Sequence, residues 1–239
     1  MEIEEKLQKW PPRSPGSPGT SATPRAPLNR DRIARTALAL IDEHGIEQLT
    51  MRRLGAELGV EAMALYHYFQ NKTSLLDGVL EALLTEMASL LTPDGQPIDR
   101  IRDVFLAMRQ LSISHPQAFV SVLARRFRNR RALIFFERLL ELFQAAGLGA
   151  EASARYYRVL MNFTIGGGIA ELGTNAEQPR DLPIEVDDYH HEEKYVRVKA
   201  TLPYLNEDAL ESIYVFGLDL ILNALKAELA TGRPGAAAS

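Results

Sequence analysis

At 239 residues and 46% hydrophobic, the chain is long enough to bury a core in one or two domains. It has no cysteine, which excludes a disulfide framework and thiol catalysis and fits a reducing compartment. A net charge of −4 does not suggest a wholesale nucleic-acid binder, so any DNA affinity must come from a few placed cations rather than a general field.

Residues 1–27 include PPRSPGSPGTSATPRAP, where proline, serine and glycine bury too little surface to offset ordering entropy; a disordered tail is expected. The acidic start MEIEEKLQKW lacks the apolar centre of a signal peptide. No apolar run of about eighteen residues is present to span a membrane. A cytoplasmic protein is expected. Arg25, Arg30 and Arg32 stand where the tail meets the first helix, placed either to touch a nucleic-acid backbone or minor groove or simply to be solvated. Asn29 or Asp31 caps a helix reaching His44, with Ile33, Ala37, Leu40 and Ile41 on one face, and Gly45 ends it.

The stretch 49–72, LTMRRLGAELGVEAMALYHYFQNK, holds two short helical patterns that meet at a glycine. Thr50 can accept from a free first-turn N–H as N-cap. Leu54 and Leu58, four apart, share one face. Gly59 can take positive φ and turn the chain. Val60 plugs the turn, and a second helix from about Glu61 points Leu65 and Phe69 inward. Gly55 lets the second helix cross closely over the first. This is the pattern of a helix-turn-helix, whose second helix lies in the DNA major groove. An ordinary helical hairpin is the plain alternative; small residue, glycine turn and apolar plug at these offsets argue against it. Residues 25–73 carry seven Arg or Lys against six Asp or Glu, so the reader itself is nearly neutral.

Thr73 or Ser74 caps a fourth helix running through Leu91, with Leu76, Val79, Leu80, Leu83, Leu84 and Met87 inward. It ends at TPDGQP and links the reader mechanically to the rest. Helices follow at 98–114, 116–126, 129–146 and 151–172, with Pro116 suited to a start and Gly147 to a stop. ARRFRNRR, 124–131, is the densest basic run and reads as a solvated loop remote from the reader rather than a second DNA contact. From Gly173 a long polar loop is expected, then a short helix 189–202 broken by Pro203. A last helix runs from Asp208, its cap, to Leu229, and ATGRPGAAAS is a frayed end.

Two segments are too apolar all round for surface helices. YRVLMNFTIGGGIAEL, 157–172, carries three glycines in a helical pattern, each costing about 1 kcal/mol relative to alanine; close approach of another helix would explain them. IYVFGLDLILNALKAEL, 213–229, presents a wide apolar stripe. Gly166, Gly167, Ile213, Phe216, Gly217, Leu220, Ile221 and Ala224 are the candidate contacts of a four-helix isologous dimer interface, with an intrachain core as the alternative.

LTMRRLGAELGVEAMALYHYFQNKTSLLDGVLEAL resembles the DNA-binding half of the tetracycline-repressor (TetR) family of bacterial transcription regulators, most specifically in LYHYFQNKTSLLD. VFGLDLILNALKAEL is similar to the last helix of that family's C-terminal domain, and NFTIGG resembles its partner interface helix. The likeness runs from about Leu28 to Leu229 and is looser in the second half. It implies an all-α fold with a disordered tail over 1–27, a helix-turn-helix domain over 28–74, a helical effector-binding and dimerisation domain over 75–230, and a disordered end over 231–239. It implies a ligand-responsive regulator, most often a repressor, that binds a near-palindromic double-stranded operator as a homodimer and is released by a small effector.

Carried over residue by residue, the resemblance makes Arg52 a groove-facing reader of guanine, whose fork meets O6 and N7. Ala62, Met63 and Tyr66 match base-edge or thymine-methyl contacts, beside Glu61 at the start of the same helix. Thr50, Ala64, His67, Tyr68 and Lys72 match phosphate positions. A hydroxyl is usual at the Ala64 position, so one phosphate bond is expected to be missing. The resemblance also implies an effector pocket, for which Phe105, Met108, Phe119, Leu123, Phe127, Phe135, Leu139, Tyr156, Leu160 and Phe163 are candidates, most of them equally well explained as core. Such a lining favours an apolar or aromatic effector. Asn162 and Thr164 can serve a ligand or a backbone carbonyl. The histidines with which the namesake repressor chelates a magnesium–drug complex have no counterpart by local alignment, and Glu171 is displaced by one, so tetracycline is not implied. His190, His191, Glu192, Glu193, Asp187 and Asp188 offer metal ligands without a fixed pair across two elements. No metal or cofactor is expected.

Effector binding is expected to move the fourth helix and spread the two readers, which sit about one DNA turn (~34 Å) apart. No phosphate loop, GxSxG elbow or HExxH motif points to an enzyme. The remaining rival is a helical ligand-binding dimer without sequence-specific DNA binding, against which the intact Arg52, Tyr66 and Lys72 argue.

Overall fold

The computed structural model describes residues 27–91, 94–123, 125–175, 195–201, 204 and 210–231. Among them the fold is all helical: α1 (Arg30–His44), α2 (Met51–Leu58), α3 (Ala62–Tyr66), α4 (Lys72–Leu90), α5 (Pro97–Ser114), α6 (Pro116–Leu123), α7 (Arg130–Ala145), α8 (Ala150–Asn175), α9 (Val196–Thr201) and α10 (Leu210–Ala230). Short 3-10 turns stand at Ile46–Gln48 and Arg126–Arg128. No described helix is long and apolar enough to cross a membrane.

Local chemistry sets the boundaries. Asn29 caps α1 by accepting from Arg32 N at 2.8 Å, and Gly45 ends it at φ 83°. The cap of α4 is Asn71 rather than the expected Thr73 or Ser74. Its side chain accepts from Ser74 N at 2.8 Å while Ser74 Oγ accepts from Asn71 N at 3.2 Å, a reciprocal box that satisfies two free donors at once. Helix α6 stops at Leu123, short of the expected Arg126, and gives way to the 3-10 turn. Helix α8 runs on to Asn175, so GTN of the expected loop is helical; the rest of that loop up to residue 194, its histidines and the Asp208 cap lie outside the described residues, as do the two tails, Arg25 and Pro203.

One continuous apolar core runs from Ile33 to Leu225. Helix α4 is its spine. It packs on α1, α5, α6 and α7, while α5 also meets α8 and α10. Arg102 of α5 donates through Nε and Nη2 to Asp219 of α10 at 2.7 and 3.2 Å, and this pairing holds the aspartate below its ordinary range.

Candidate functional site

The reader is built from the turn outward. Thr50 Oγ1 accepts from Arg53 N at 3.1 Å and starts α2, leaving its O–H free to donate. Gly59 takes the left-handed conformation, φ 68° and ψ 38°. Val60 N then closes onto Gly55 O at 2.9 Å. Gly55 is where the two helices cross: a Cβ there would lie 2.8 Å from Val60 O and 3.2 Å from Ala62 N, so no side chain fits without separating them.

Leu65 and Phe69 are buried, as their spacing predicts, but α3 ends at Tyr66 and Phe69 turns inward from beyond it. The opposite face is left to solvent. Met63 is 69% and Tyr66 43% exposed; Arg52, Glu61 and His67 are exposed beside them, with Ala62 and Ala64 half-buried. Large apolar side chains held in water on one short helix invite a partner.

Two of the expected phosphate contacts have inside partners. Lys72 Nζ donates to Ile46 O at 3.0 Å, which leaves two of its three donors. Tyr68 is half-buried and its hydroxyl donates to Leu28 O at 2.8 Å; it fastens the entry of α1 and has no second proton to offer. Arg30 lies 4.2 Å from the centre of the Phe69 ring and donates to Tyr68 O, so it braces the exit of the reader. The sequence offers no local signal for that contact across 38 positions.

Behind the reader lies an apolar cavity of about 50 Å³. Its walls come from α4 (Leu80, Leu83, Leu84, Met87), α6 (Phe119, Val122, Leu123) and α7 (Ala132, Phe135, Phe136), with Met108 and Phe127 among the rest. Met108, Phe119, Leu123, Phe127 and Phe135 of the expected lining are there. Phe105, Leu139, Tyr156, Leu160 and Phe163 are not part of this lining. Phe105, Leu139 and Leu160 are fully packed in the core. Tyr156 donates to Glu228 Oε2 at 2.8 Å, its phenol pushed up to about 12 by burial and then by that carboxylate. Phe163 stacks on Tyr214 with ring centres 5.0 Å apart. Thr164 Oγ1 donates to Leu160 O at 2.9 Å and meets Tyr214 Oη at 2.7 Å, whereas Asn162 is exposed.

The basic run does not float free. Arg125 Nε pairs with Asp77 of α4 at 3.0 Å and Arg131 with Glu81 at 3.4 Å, which corrects the expected solvation at these two positions, while Arg128 and Arg130 are exposed. Arg126, counted only as part of that run, lines the cavity.

On α8 and α10 an apolar face is open: Val159, Ile169, Ile213, Phe216 and Leu220 are between 45 and 65% exposed. A Cβ on Gly166 would meet nothing within 4 Å and Ala224 is exposed, while Gly167 faces Tyr214 and Ile221 is half-buried. Gly217 has an intrachain reason instead, since a Cβ there would lie 2.5 Å from the Phe163 ring. Among the described residues no cluster of His, Asp and Glu is arranged to hold a metal.

The bacterial regulatory proteins of the tetR family match residues 33–79, and the tetracyclin repressor-like C-terminal domain matches residues 91–229. The chain is 48% identical over 66 residues to the tetracycline repressor protein class C of Escherichia coli, a match covering 28% of this chain and 30% of the repressor's length. A possible TetR family transcriptional regulator from Streptomyces coelicolor A3(2) superposes with a TM-score of 0.65 at 31% identity, over 83% of this chain and 99% of the other. The fold is also that of ActR from Streptomyces coelicolor, solved in complex with actinorhodin, with a TM-score of 0.64 at 23% identity over 88% and 100% of the two chains. With its reader and its C-terminal half both matched, the chain belongs to the tetR family of bacterial regulatory proteins.

Proposed function

We propose that the protein is a cytoplasmic transcriptional repressor, not an enzyme, that binds a near-palindromic operator as a homodimer and leaves it when a small effector fills the cavity between α4, α6 and α7. The carrying observation is the exposed face of α2 and α3, where Arg52, Met63 and Tyr66 stand in solvent over a turn that Gly55 and Gly59 hold tight. Division into a tail (1–27), a reader (28–74), an effector and dimer domain (75–230) and an end (231–239) fits this reading. Thr50, Lys72 and His67 supply phosphate contacts and the apolar side chains meet thymine methyls.

The coupling follows from shared walls. Leu80, Leu83 and Met87 of α4 border the cavity, and the same helix carries Gly78, against which Phe69 of the reader packs. Helix α6 borders it through Phe119 and Val122, and Ala118 N donates to Asp42 of α1 at 3.1 Å. A cavity of about 50 Å³ holds only a few water-sized molecules at roughly 10–15 Å³ each, so on this reading a larger effector displaces α4 and α6 and carries α1 with them. For tenfold release it must favour the displaced state by about 1.4 kcal/mol. The ActR neighbour was solved with actinorhodin, which supports an effector reading of this domain. The open α8–α10 face supports the dimer.

The test is fluorescence anisotropy of DNA from upstream of the protein's own gene, against scrambled DNA of equal length, across a salt series. A sequence preference of about 10³ or more is expected. Equal affinity for both DNAs would leave a ligand-binding helical dimer without sequence readout.

A further inference from the structure

Among the described residues, Arg126 is the sole charged side chain in the wall of the cavity, where all other lining residues are apolar except for the hydroxyl of Tyr157. Its Nε donates to Tyr157 Oη at 3.2 Å, its Nη1 donates to Leu123 O at 3.0 Å, and its guanidinium carbon lies 4.5 Å from the centre of the Phe127 ring. Its neighbours in the run are neutralised, Arg125 by Asp77 and Arg131 by Glu81. Among the described residues no carboxylate forms an ion pair with Arg126.

We infer that the effector of this cavity is an anionic aromatic molecule whose carboxylate, sulfonate or phenolate is received by Arg126 and Tyr157 while its ring system enters between α4, α6 and α7. The inference rests on the cavity being the effector site.

Three arguments carry it. Nη2 lies on the same edge of the guanidinium as Nε and therefore beside the Tyr157 hydroxyl. Because that hydroxyl accepts from Nε, its own proton is free to donate, and Nη2 and Tyr157 O–H form a two-donor notch for one anionic group. The walls next to the notch are aromatic: Phe127 and Phe136 meet edge to face at 5.7 Å and Phe136 lies 4.6 Å from Tyr157, so a flat ring finds stacking partners beside its charged end. Finally, a cation kept against an apolar cavity with no counter-charge among the described residues favours a ligand that brings one, since the pair forms where water is scarce. The exposed Arg128, two positions on in the same 3-10 turn, adds to the positive field on this side of the protein. The dense basic run thus acquires a role in ligand choice rather than in DNA contact.

The test uses two fluorescent probes with one ring system, anilinonaphthalene sulfonate and phenylnaphthylamine, which lacks the sulfonate, titrated into the full-length protein. The sulfonate is expected to bind about tenfold tighter than the neutral probe, as a charge-assisted pair does. The ratio should fall toward one in Arg126→Gln, recover in part in Arg126→Lys, and shrink less in Tyr157→Phe. Ala132→Phe and Leu84→Phe, which fill the cavity from two walls, should remove both probes, with circular dichroism to show which of them is folded. An unchanged probe ratio in Arg126→Gln, with both probes still lost in a folded filled variant, overturns the anionic preference and leaves the cavity reading standing. Both probes binding undiminished in a folded filled variant overturns the cavity itself as the ligand site, and this inference with it.

Discussion

Asp42 of α1 and His115, which closes α5, meet at 2.6 Å between Oδ2 and Nδ1, and the other ring nitrogen of His115 lies 3.1 Å from Glu86 Oε2 of α4. Asp42 Oδ1 also accepts from Ala118 N of α6. One carboxylate and one imidazole therefore strap the first reader helix to the two helices that wall the cavity. Removing either partner strands the other in a partly buried place, at about 1–3 kcal/mol. Asp42→Ala and His115→Ala are each expected to lower stability by that amount, and the double variant by clearly less than the sum, because the pair acts as a unit. A denaturant double-mutant cycle measures it; strict additivity would show that no strap exists.

Phe69 and Gly78 make the second strap. A Cβ on Gly78 would lie 2.6 Å from Phe69 Cε1, and Phe69 is fully buried, so its ring cannot swing into solvent. Gly78→Ala must push the end of the reader off α4, an overpacking cost of about 1–3 kcal/mol. The expected result is weaker operator binding together with a lower melting temperature, and Phe69→Leu in the same chain should restore part of both. No change in either quantity would mean that the reader does not seat on α4.

Much of this was legible in the sequence where the cause is local. Thr50, Gly55, Gly59 and Val60 act within a dozen positions, and their spacing alone sets the turn. The cap of α4 was not, because NKTS offers several competent cap residues and only the reciprocal Asn71–Ser74 geometry chooses one. Periodicity told which aromatics face inward but not toward what. Phe163 faces the α10 side, where its ring stacks on Tyr214, and Phe105 is packed in the core without reaching the cavity, whereas Phe119 and Phe135 face α4 and the cavity. Arg126 was hidden by its own neighbours, since charge density reads as solvent whatever one member of the run touches. Gly78 gave no signal beyond a helix-weakening residue until the distant Phe69 stood against it.

The open face of α8 and α10 predicts an oligomer that a charge should dissolve. Phe216 is 65% and Leu220 54% exposed, and two copies of such a face bury one another. Phe216→Asp with Leu220→Asp is expected to give a folded monomer in analytical ultracentrifugation and to lose nearly all operator affinity, because one reader then faces one half-site. A dimer that survives both changes would place the interface elsewhere.

Tyr214 gives the pH dependence a sign. Its hydroxyl donates to Phe105 O at 3.0 Å, and burial pushes the phenol from 10 up to about 12. The folded state thus holds the proton more tightly than the unfolded chain. The stability this provides is whole below pH 10 and drains away as pH rises through about 12. Denaturation midpoints should fall over that interval, by up to about 2–3 kcal/mol from this group, and fall less steeply in Tyr214→Phe. A midpoint that holds steady across the interval would mean the phenol ionises where it stands.

Arg52 and Lys72 separate readout from anchoring. Arg52 is exposed on α2 with its fork free to meet a guanine edge, while Lys72 keeps one donor on Ile46 O and offers the others at the start of α4. Arg52→Ala is expected to cost about 1–3 kcal/mol, concentrated at one base pair of each half-site, because a bidentate contact discriminates only where its partner lies. Lys72→Ala should instead weaken binding to all sequences alike and lower the salt slope by about one per subunit, the mark of a lost phosphate contact. Affinities measured over a set of single-base operator variants at several salt concentrations distinguish the two. If Arg52→Ala lowered affinity equally for every variant, its place would be on the backbone, and the burden of reading sequence would pass to Tyr66 and Met63 on α3.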